Sequence, residues 1–176
     1  MSGITVALIA QLATACHAPA WMLPRIQATA AVESANDPLA VRDNQTGESL
    51  HPATKDVAIA LASRLIAEGH RPDLGLMQIA TANLARTGLT VATAFDVRAN
   101  VCAGVQITAE DERAASCLYN TGRAACANGY PERIVAAMDE PLRAQSIRAT
   151  IAPAPPDPPS VFLHPSPARE IDLSER

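Results

Sequence analysis

Apolar side chains recur at three- and four-residue intervals over most of the first 140 residues, which is the spacing of one helix face. Capping or chain-breaking residues bound these runs. Only residues 41–49, "VRDNQTGES", resemble a hairpin or an irregular loop, and no parallel-sheet alternation occurs. The sequence therefore predicts a mainly α domain with helices from Pro24 to about Ala35, from the Thr54 cap to Gly69, from Thr81 to Gly88, from the Asn100 cap through residue 113, and from Pro131 through residue 138.

Two of these helices have a predicted inward face. In the second, Val57, Leu61 and Leu65 recur every four residues. In the last, Ile134 and Val135 share one side with Met138.

The two ends of the chain differ from this middle part. Residues 1–15 fit either an export signal, with Ala13 and Ala15 in an A-x-A-like arrangement, or a first core helix. An acylated Cys16 is a poorer match because Ala13 stands where an alkyl residue is usual. Residues 141–176 hold eight of the fourteen prolines and predict a disordered tail. We therefore expect a single folded domain over 16–140.

Composition narrows the kind of partner. The chain has 14 basic and 18 acidic residues and no dense Lys/Arg cluster, so no nucleic-acid partner is expected. No segment reaches the roughly 18 to 20 apolar residues that a transmembrane helix needs. We expect a monomer that binds a neutral or mixed ligand.

The four cysteines allow two disulfides, four buried thiols or a metal site. No pair is C-x-x-C and no histidine stands at a ligand-like interval, so neither a metal nor another cofactor is expected. In an exported protein an even count favours two bridges, which can pair in three ways. The pairing we predict is Cys117 with Cys126 and Cys16 with Cys102.

Glu33 is the first acidic residue of the chain, within the otherwise small and apolar "RIQATAAVESANDPLAV". It is three residues from Ala30 and seven from Ile26, so we expect it on an inward-facing side of its helix. A carboxyl partly removed from water can keep its proton near neutrality and donate it to a leaving group. The alternative is a helix-end cap or an ion pair with Arg25 or Arg42.

Other polar groups accompany this carboxyl. In "DLGLMQIA", the amide of Gln78 stands between Met77 and Ile79 and needs hydrogen-bond partners. In "LYNTGRAACANGY", a segment that we predict to be rich in loops, both tyrosines of the chain lie eleven residues apart. Hydroxyls, amides and stacking rings together are typical of a sugar-binding site.

The order E-S, G-L-M-Q-I, Y-N-T-G and G-Y resembles the lytic transglycosylases that have a goose-type-lysozyme-like domain, and most of all the branch associated with type IV secretion systems. The resemblance covers roughly residues 16–138. It implies an α+β, lysozyme-like fold.

This resemblance also implies a reaction: cleavage of the β-1,4 bond between N-acetylmuramic acid and N-acetylglucosamine in peptidoglycan, with a 1,6-anhydro product. Glu33 would be the sole catalytic acid and base, assisted by a hydrogen bond from Ser34. Further residues that would contact the substrate or line its cleft are Met77, Gln78, Tyr119, Asn120 and Tyr130. The family's setting implies a periplasmic enzyme that acts on glycan strands and contacts secretion components through its Pro-rich tail.

The sequence departs from the family pattern at three positions. Ala80 replaces an asparagine after M-Q-I, Leu39 replaces an aromatic residue, and Arg98 stands where the family has a cysteine. Cys102 lies one helical turn from Arg98 and could face the same partner.

Two other functions stay open at this point. A goose-type-lysozyme-like hydrolase would need a base for water, for which Asp43 and Asp73 are the candidates. A non-catalytic peptidoglycan-binding assembly factor would keep the fold without the reaction.

Overall fold

The computed structural model describes residues 3–139, which form helices around a small antiparallel sheet. The mainly α class and the α+β, lysozyme-like arrangement are confirmed. In the described residues the longer helices are α1 (Val6–Ala15), α2 (Leu23–Ser34), α3 (Lys55–Ala67), α4 (Val97–Thr121) and α5 (130–139), and the strands are β1 (Val41–Arg42), β2 (Ser49–Leu50), β3 (Asp73–Leu74) and β4 (Ile79–Ala80). Short 3₁₀ helices cover Ala20–Met22, Thr81–Asn83 and Thr93–Phe95.

The core lies where α1, α2 and α4 meet. Ile9 and Ala13 of α1 are fully buried, as are Ile26 and Ala30 of α2 and Val101 of α4. Alanine at so many core positions lets the helix backbones approach closely. Of the two interpretations of residues 1–15, the structure contains the core helix, since α1 supplies part of this core.

The two predicted disulfides are both present. Cys16 pairs with Cys102, with Cα atoms 5.2 Å apart, and joins the end of α1 to α4. Cys117 pairs with Cys126, with Cα atoms 5.5 Å apart, and ties α4 to the segment that follows it. Because Cys16 is bonded to Cys102, its thiol is not available for acylation in this structure.

The four strands form one antiparallel sheet in the order β2-β1-β3-β4. The hairpin predicted within 41–49 is confirmed as β1 and β2, with Val41 opposite Leu50. The second hairpin, β3 and β4, was not predicted. Its sequence "DLGLMQIA" is a short apolar run without alternation, and such a run does not distinguish strand from helix.

Two helix predictions between residues 54 and 88 need correction, and one is confirmed. The face of α3 is wrong in part: Ala58, Ala62 and Leu65 are buried, whereas Val57 is 53% exposed. Residues 81–88 contain only the 3₁₀ helix Thr81–Asn83, followed by turns. The Thr54 cap is confirmed, because its hydroxyl accepts a hydrogen bond from the Val57 N–H at 3.3 Å.

Helix α4 begins earlier and ends later than predicted. Its N-cap is Asp96 and not Asn100, and it continues to Thr121, where Gly122 adopts a left-handed conformation with φ of 70°. Tyr119 and Asn120 are therefore on its last turn and not in a loop. In the last helix Met138 is 39% exposed, so only Ile134 and Val135 of its predicted face are partly buried.

Within residues 3–139 no helix is long and apolar enough to cross a membrane. The predicted Pro-rich tail, 141–176, lies outside the described residues.

Asp43, in the β1–β2 loop, organises this hairpin through three hydrogen bonds. Its carboxylate accepts from the Gln45 N–H at 2.9 Å and the Thr46 hydroxyl at 3.0 Å, and lies 2.9 Å from the His70 ring nitrogen Nδ1. Burial acts to raise the pKa of the Asp43 carboxyl, but these contacts outweigh it and hold the pKa below its ordinary value of 3.8.

We predict that the first disulfide contributes more stability than the second. It closes a loop of 86 residues, against 9 for the other, and so removes more conformational freedom from the unfolded chain. The loop-entropy relation gives a loss of about 4–5 kcal/mol for the double variant Cys16→Ser/Cys102→Ser and about 2–3 kcal/mol for Cys117→Ser/Cys126→Ser. Urea unfolding of the two double variants measures this difference, and equal losses would contradict it.

A second prediction concerns acid stability. Because the folded-state pKa of Asp43 lies below its unfolded value, the carboxylate stabilises the fold above about pH 4, and this contribution is lost as the pH falls through the folded-state value. In Asp43→Asn the free energy of unfolding should therefore be lower near neutrality and should fall less on acidification. Denaturant titrations between about pH 6 and pH 2.5 test this, and parallel profiles for the two proteins would argue against it.

Candidate active site

A cleft of about 340 Å³ lies between α2, the β3–β4 hairpin and α4. Its walls combine carboxyl, amide and hydroxyl groups with a few apolar side chains, a mixture that suits a sugar better than a hydrocarbon ligand. Three of the residues predicted for the site, Glu33, Met77 and Gln78, line this cleft together. The other lining residues are Arg25, Thr29, Asp73, Ile79, Ala80, Asn83, Gly104, Ile107, Thr108 and Asp111.

Glu33 is the last residue but one of α2 and is exposed, so the expectation that it faces inward is wrong. The buried stripe of α2 is Ile26, Ala30 and Ser34. A step of three residues rotates a side chain about 60° from the starting direction, which places Glu33 at the edge of that stripe and beside the cleft. Arg25 and Thr29 precede it at four-residue intervals on the same edge.

The carboxyl of Glu33 makes no hydrogen bond or ion pair with any described residue. The alternative of an ion pair with Arg25 or Arg42 is therefore wrong, and Arg25 lies 3.7 Å from Glu112 instead. Both oxygens of Glu33 remain free to contact a ligand in the cleft.

Ser34 does not make the hydrogen bond to Glu33 that the family resemblance implies. Its buried hydroxyl hydrogen-bonds the carbonyl of Ala30 at 3.0 Å and that of Leu76 at 2.7 Å. The second of these bonds joins α2 to the β3–β4 turn. In this structure Ser34 joins the two walls of the cleft, and its hydroxyl makes no hydrogen bond to the Glu33 carboxyl.

Helix α2 ends directly after these two residues in an unusual backbone. Ala35 and Asn36 are both left-handed, with φ of 54° and 63°, although neither is glycine. Such conformations cost about 1–2 kcal/mol each for residues with a Cβ atom. The sharp end keeps Glu33 on the last turn, at the mouth of the cleft.

The opposite wall is the β3–β4 turn, which carries Met77 and Gln78. The Gln78 side-chain amide donates to the carbonyls of Gly75, at 2.7 Å, and Ala40, at 3.1 Å, so its side-chain oxygen has no partner among the described residues. Gln78 is itself left-handed, with φ of 45°. The Gln78 amide therefore has the hydrogen-bond partners that it was expected to need, and its side-chain oxygen remains available as an acceptor at the cleft.

Asn100, which sequence reasoning assigned only to a helix cap, holds this turn in place. Its buried amide donates to the carbonyls of Leu74 and Ala94, and its oxygen accepts from the Met77 N–H at 2.7 Å. A Cβ atom on Gly75 would lie 2.5 Å from the Ala94 oxygen, so only glycine fits there. An asparagine one turn inside a long helix was the signal for this contact.

Met77 is 5% exposed and packs against α4. A Cβ atom on Gly104 would lie 2.8 Å from its terminal methyl carbon, so the missing side chain of Gly104 makes room for it. The thioether therefore forms the floor of the cleft near Glu33.

Two relatives share much of this chain. One, named Protein virB1, from Agrobacterium fabrum (strain C58 / ATCC 33970), is 36% identical over 138 residues, which cover 70% of this chain and 56% of the relative. Another, also named Protein virB1, from Rhizobium radiobacter, is 32% identical over 155 residues, which cover 80% of this chain and 62% of the relative. The chain belongs to the same family as these VirB1 proteins.

This chain spans less than two thirds of the length of those VirB1 relatives. No family model matches it, and no solved structure is significantly similar to it.

Three residues that the VirB1 resemblance implies for the substrate are not brought to the cleft. Tyr119 is 85% exposed and stacks on Tyr130, with ring centroids 6.3 Å apart. Asn120 accepts a hydrogen bond from the Asn128 side chain at 2.6 Å. This cluster lies at the far end of α4, roughly 12 Å along the helix from Asp111 of the cleft. Its predicted role in binding stays a prediction.

The cleft of this VirB1-family chain contains a second carboxyl of interest, Asp73. Burial raises the pKa of Asp73, and contacts with Asn44 and Arg42 offset the rise only in part. Asp43, the other sequence candidate for a water-activating base, does not line the cleft. Among residues 3–139 no cluster of three or more His, Cys, Asp or Glu side chains is arranged to hold a metal.

We predict that a side chain at Gly75 is unfavourable for two reasons that can be measured separately. One is the left-handed backbone conformation, and the other is the lack of space for a Cβ atom. Gly75 and Gly88 have nearly the same φ, 75° and 70°, but a Cβ atom would meet nothing within 4 Å at Gly88. Gly88→Ala should therefore cost about 1–2 kcal/mol of stability for the left-handed conformation alone. Gly75→Ala should cost a further 1–3 kcal/mol or so from overpacking. Urea unfolding of both variants tests this, and equal losses would contradict the close contact.

Proposed function

We propose that the chain is a peptidoglycan lytic transglycosylase in which Glu33 is the catalytic acid and base. The observation that carries the proposal is the position of Glu33, an unpaired carboxyl at the mouth of a polar cleft, across from Met77 and Gln78. Membership in the VirB1 branch supports the same reaction class.

The reaction begins with a proton transfer. Glu33 donates its proton to the oxygen of the β-1,4 bond between N-acetylmuramic acid and N-acetylglucosamine as that bond breaks. The resulting carboxylate then takes the proton of the muramic acid 6-hydroxyl while that oxygen bonds to carbon one. The product is a 1,6-anhydro sugar, and no water is consumed. One carboxyl suffices because the nucleophile belongs to the substrate, whereas ordinary glycosidases place two carboxyls across the bond.

The other cleft residues would bind and orient the glycan. The free side-chain oxygen of Gln78 can accept a hydrogen bond from a sugar hydroxyl or amide N–H. Thr29, Thr108 and Asn83 supply further hydroxyl and amide groups, and Met77 gives an apolar floor for a sugar face. This arrangement favours an uncharged polymer with many hydroxyls.

The cellular setting is also part of the proposal. Two disulfides are typical of proteins in an oxidising compartment, which fits the bacterial periplasm. There the enzyme would act as a monomer on glycan strands and open the wall locally during assembly of a type IV secretion or conjugation apparatus. Contacts with components of that apparatus would use the Pro-rich segment after residue 140.

A second candidate, hydrolysis of the same bond by water, is favoured by one observation. Asp73 lines the cleft together with Glu33, and a hydrolase needs a carboxyl that can activate water. The two reactions differ in product, because hydrolysis leaves reducing muramic acid ends.

We predict that purified protein releases anhydro muropeptides from peptidoglycan and that Glu33→Gln lowers this release by at least about 100-fold, the range expected for loss of a general acid. The variant keeps the shape of the side chain and removes the proton. Glu48→Gln, an exposed position outside the cleft, is the matched control and should retain activity. Mass spectrometry of the released muropeptides gives both the rate and the product.

The products separate the candidate functions. Reducing ends without anhydro sugars would favour the hydrolase, and activity retained by Glu33→Gln would refute the role of this carboxyl. A Glu33→Gln protein that no longer cleaves peptidoglycan but still supports assembly of the secretion apparatus would instead indicate an assembly factor that uses the fold alone.

A further inference from the structure

Asp73 occupies a position in the cleft that the proposed reaction does not use. It lies on β3 with Arg42 directly opposite on β1 and Ala80 directly opposite on β4. Side chains directly opposite each other in antiparallel strands share one face and have Cβ atoms about 5 Å apart. Asp73 and Ala80 both line the cleft, so this face of the sheet is part of its wall.

One oxygen of the Asp73 carboxyl lacks a partner. Oδ1 is buried and accepts no hydrogen bond from any residue among 3–139. The methyl group of Ala80 has no polar hydrogen to donate, and Arg42 on the other side is exposed to solvent. Burying an unpaired acceptor is unfavourable, so proteins rarely keep one without a compensating use.

We propose that Asp73 is a saccharide-binding residue, whose carboxylate accepts a hydrogen bond from a hydroxyl or amide N–H of the glycan in the cleft. The proposal rests on the proposed function for the class of ligand. The Cβ–Cγ bond of Asp73 is a terminal torsion with a broad energy profile, so the carboxyl can reorient toward a ligand in the cleft. Bonds between a carboxylate and a neutral donor are among the stronger hydrogen bonds in proteins.

The alanine at position 80 is what leaves this carboxyl available. An amide side chain at that position would stand within hydrogen-bonding reach of Asp73 and would pair with it inside the protein. Ala80 offers no such group, and it lines the cleft together with Asp73. The pair Asp73 and Ala80 thus provides an acceptor that has no partner among residues 3–139 and is available to a ligand.

Binding can be measured without turnover by using Glu33→Gln as the parent protein. The probe is a tetrasaccharide of β-1,4-linked N-acetylglucosamine, and the measurement is isothermal titration calorimetry. Two changes are made in this parent: Asp73→Asn, which removes the charge, and Ala80→Asn, which supplies an internal partner. Asp56→Asn, which removes an exposed carboxyl on α3 outside the cleft, is the matched control.

We expect Asp73→Asn to weaken binding about tenfold, which corresponds to about 1.4 kcal/mol. Ala80→Asn should weaken it by a similar factor, and Asp56→Asn should not change it. In the free protein, Ala80→Asn should also raise the melting temperature, because it satisfies the buried oxygen. A carboxyl with only a structural role would give a lower melting temperature in Asp73→Asn and an unchanged affinity.

The outcomes distinguish this inference from the proposed function. If the parent binds the tetrasaccharide and both cleft variants bind it equally well, the role of Asp73 is refuted and the ligand class stands. If the parent does not bind at all, both are refuted. If Asp73→Asn in the wild-type background loses turnover and reducing ends but keeps its affinity, Asp73 activates water and the binding role is wrong.

Discussion

The cleft depends on one buried amide, the side chain of Asn100. It hydrogen-bonds three backbone groups: those of Leu74 and Met77, which are distant in sequence, and that of Ala94, six residues away. Each such group would cost about 1–3 kcal/mol if it were left buried without a partner. The helix α4, the β3–β4 turn and the 3₁₀ helix Thr93–Phe95 are consequently fixed to one another through a single residue.

A second buried side chain completes this frame. Ser34 bonds the carbonyl of Leu76, so the end of α2 is joined to the same turn that Asn100 joins to α4. Glu33 is the residue before Ser34 on one wall, and Gln78 belongs to the turn on the other. The distance between these two groups is therefore set by two short connections through buried hydrogen bonds, which is how a site keeps its geometry before the substrate arrives.

Some parts of this arrangement could be predicted from the sequence and others could not. Local sequence signals were sufficient to predict the Thr54 cap, the first hairpin and the existence of the main helices. The face of α3 was wrong because a four-residue step advances 40° beyond a full turn, so Val57 is about 80° away from Leu65 around the helix. The end of α4 was missed because two asparagines and two glycines suggested a loop, although no glycine or proline occurs between Gly104 and Gly122. The role of Asn100 could not be predicted, since its partners at Leu74 and Met77 are 26 and 23 residues away.

Two carboxyls of the cleft, Glu33 and Asp73, show why burial was a poor guide to the site. Helix periodicity predicts only whether a side chain packs against the rest of the protein, not whether it meets a ligand. Glu33 does not pack inward and is exposed at a helix end. Asp73, held on a strand between two neighbours, is the carboxyl that burial affects, and its pKa is raised. A group that must first give a proton to one sugar oxygen and then take one from another needs freedom to reach both. A helix end that projects into open space provides that freedom, whereas a strand fixes direction and suits a group that only binds.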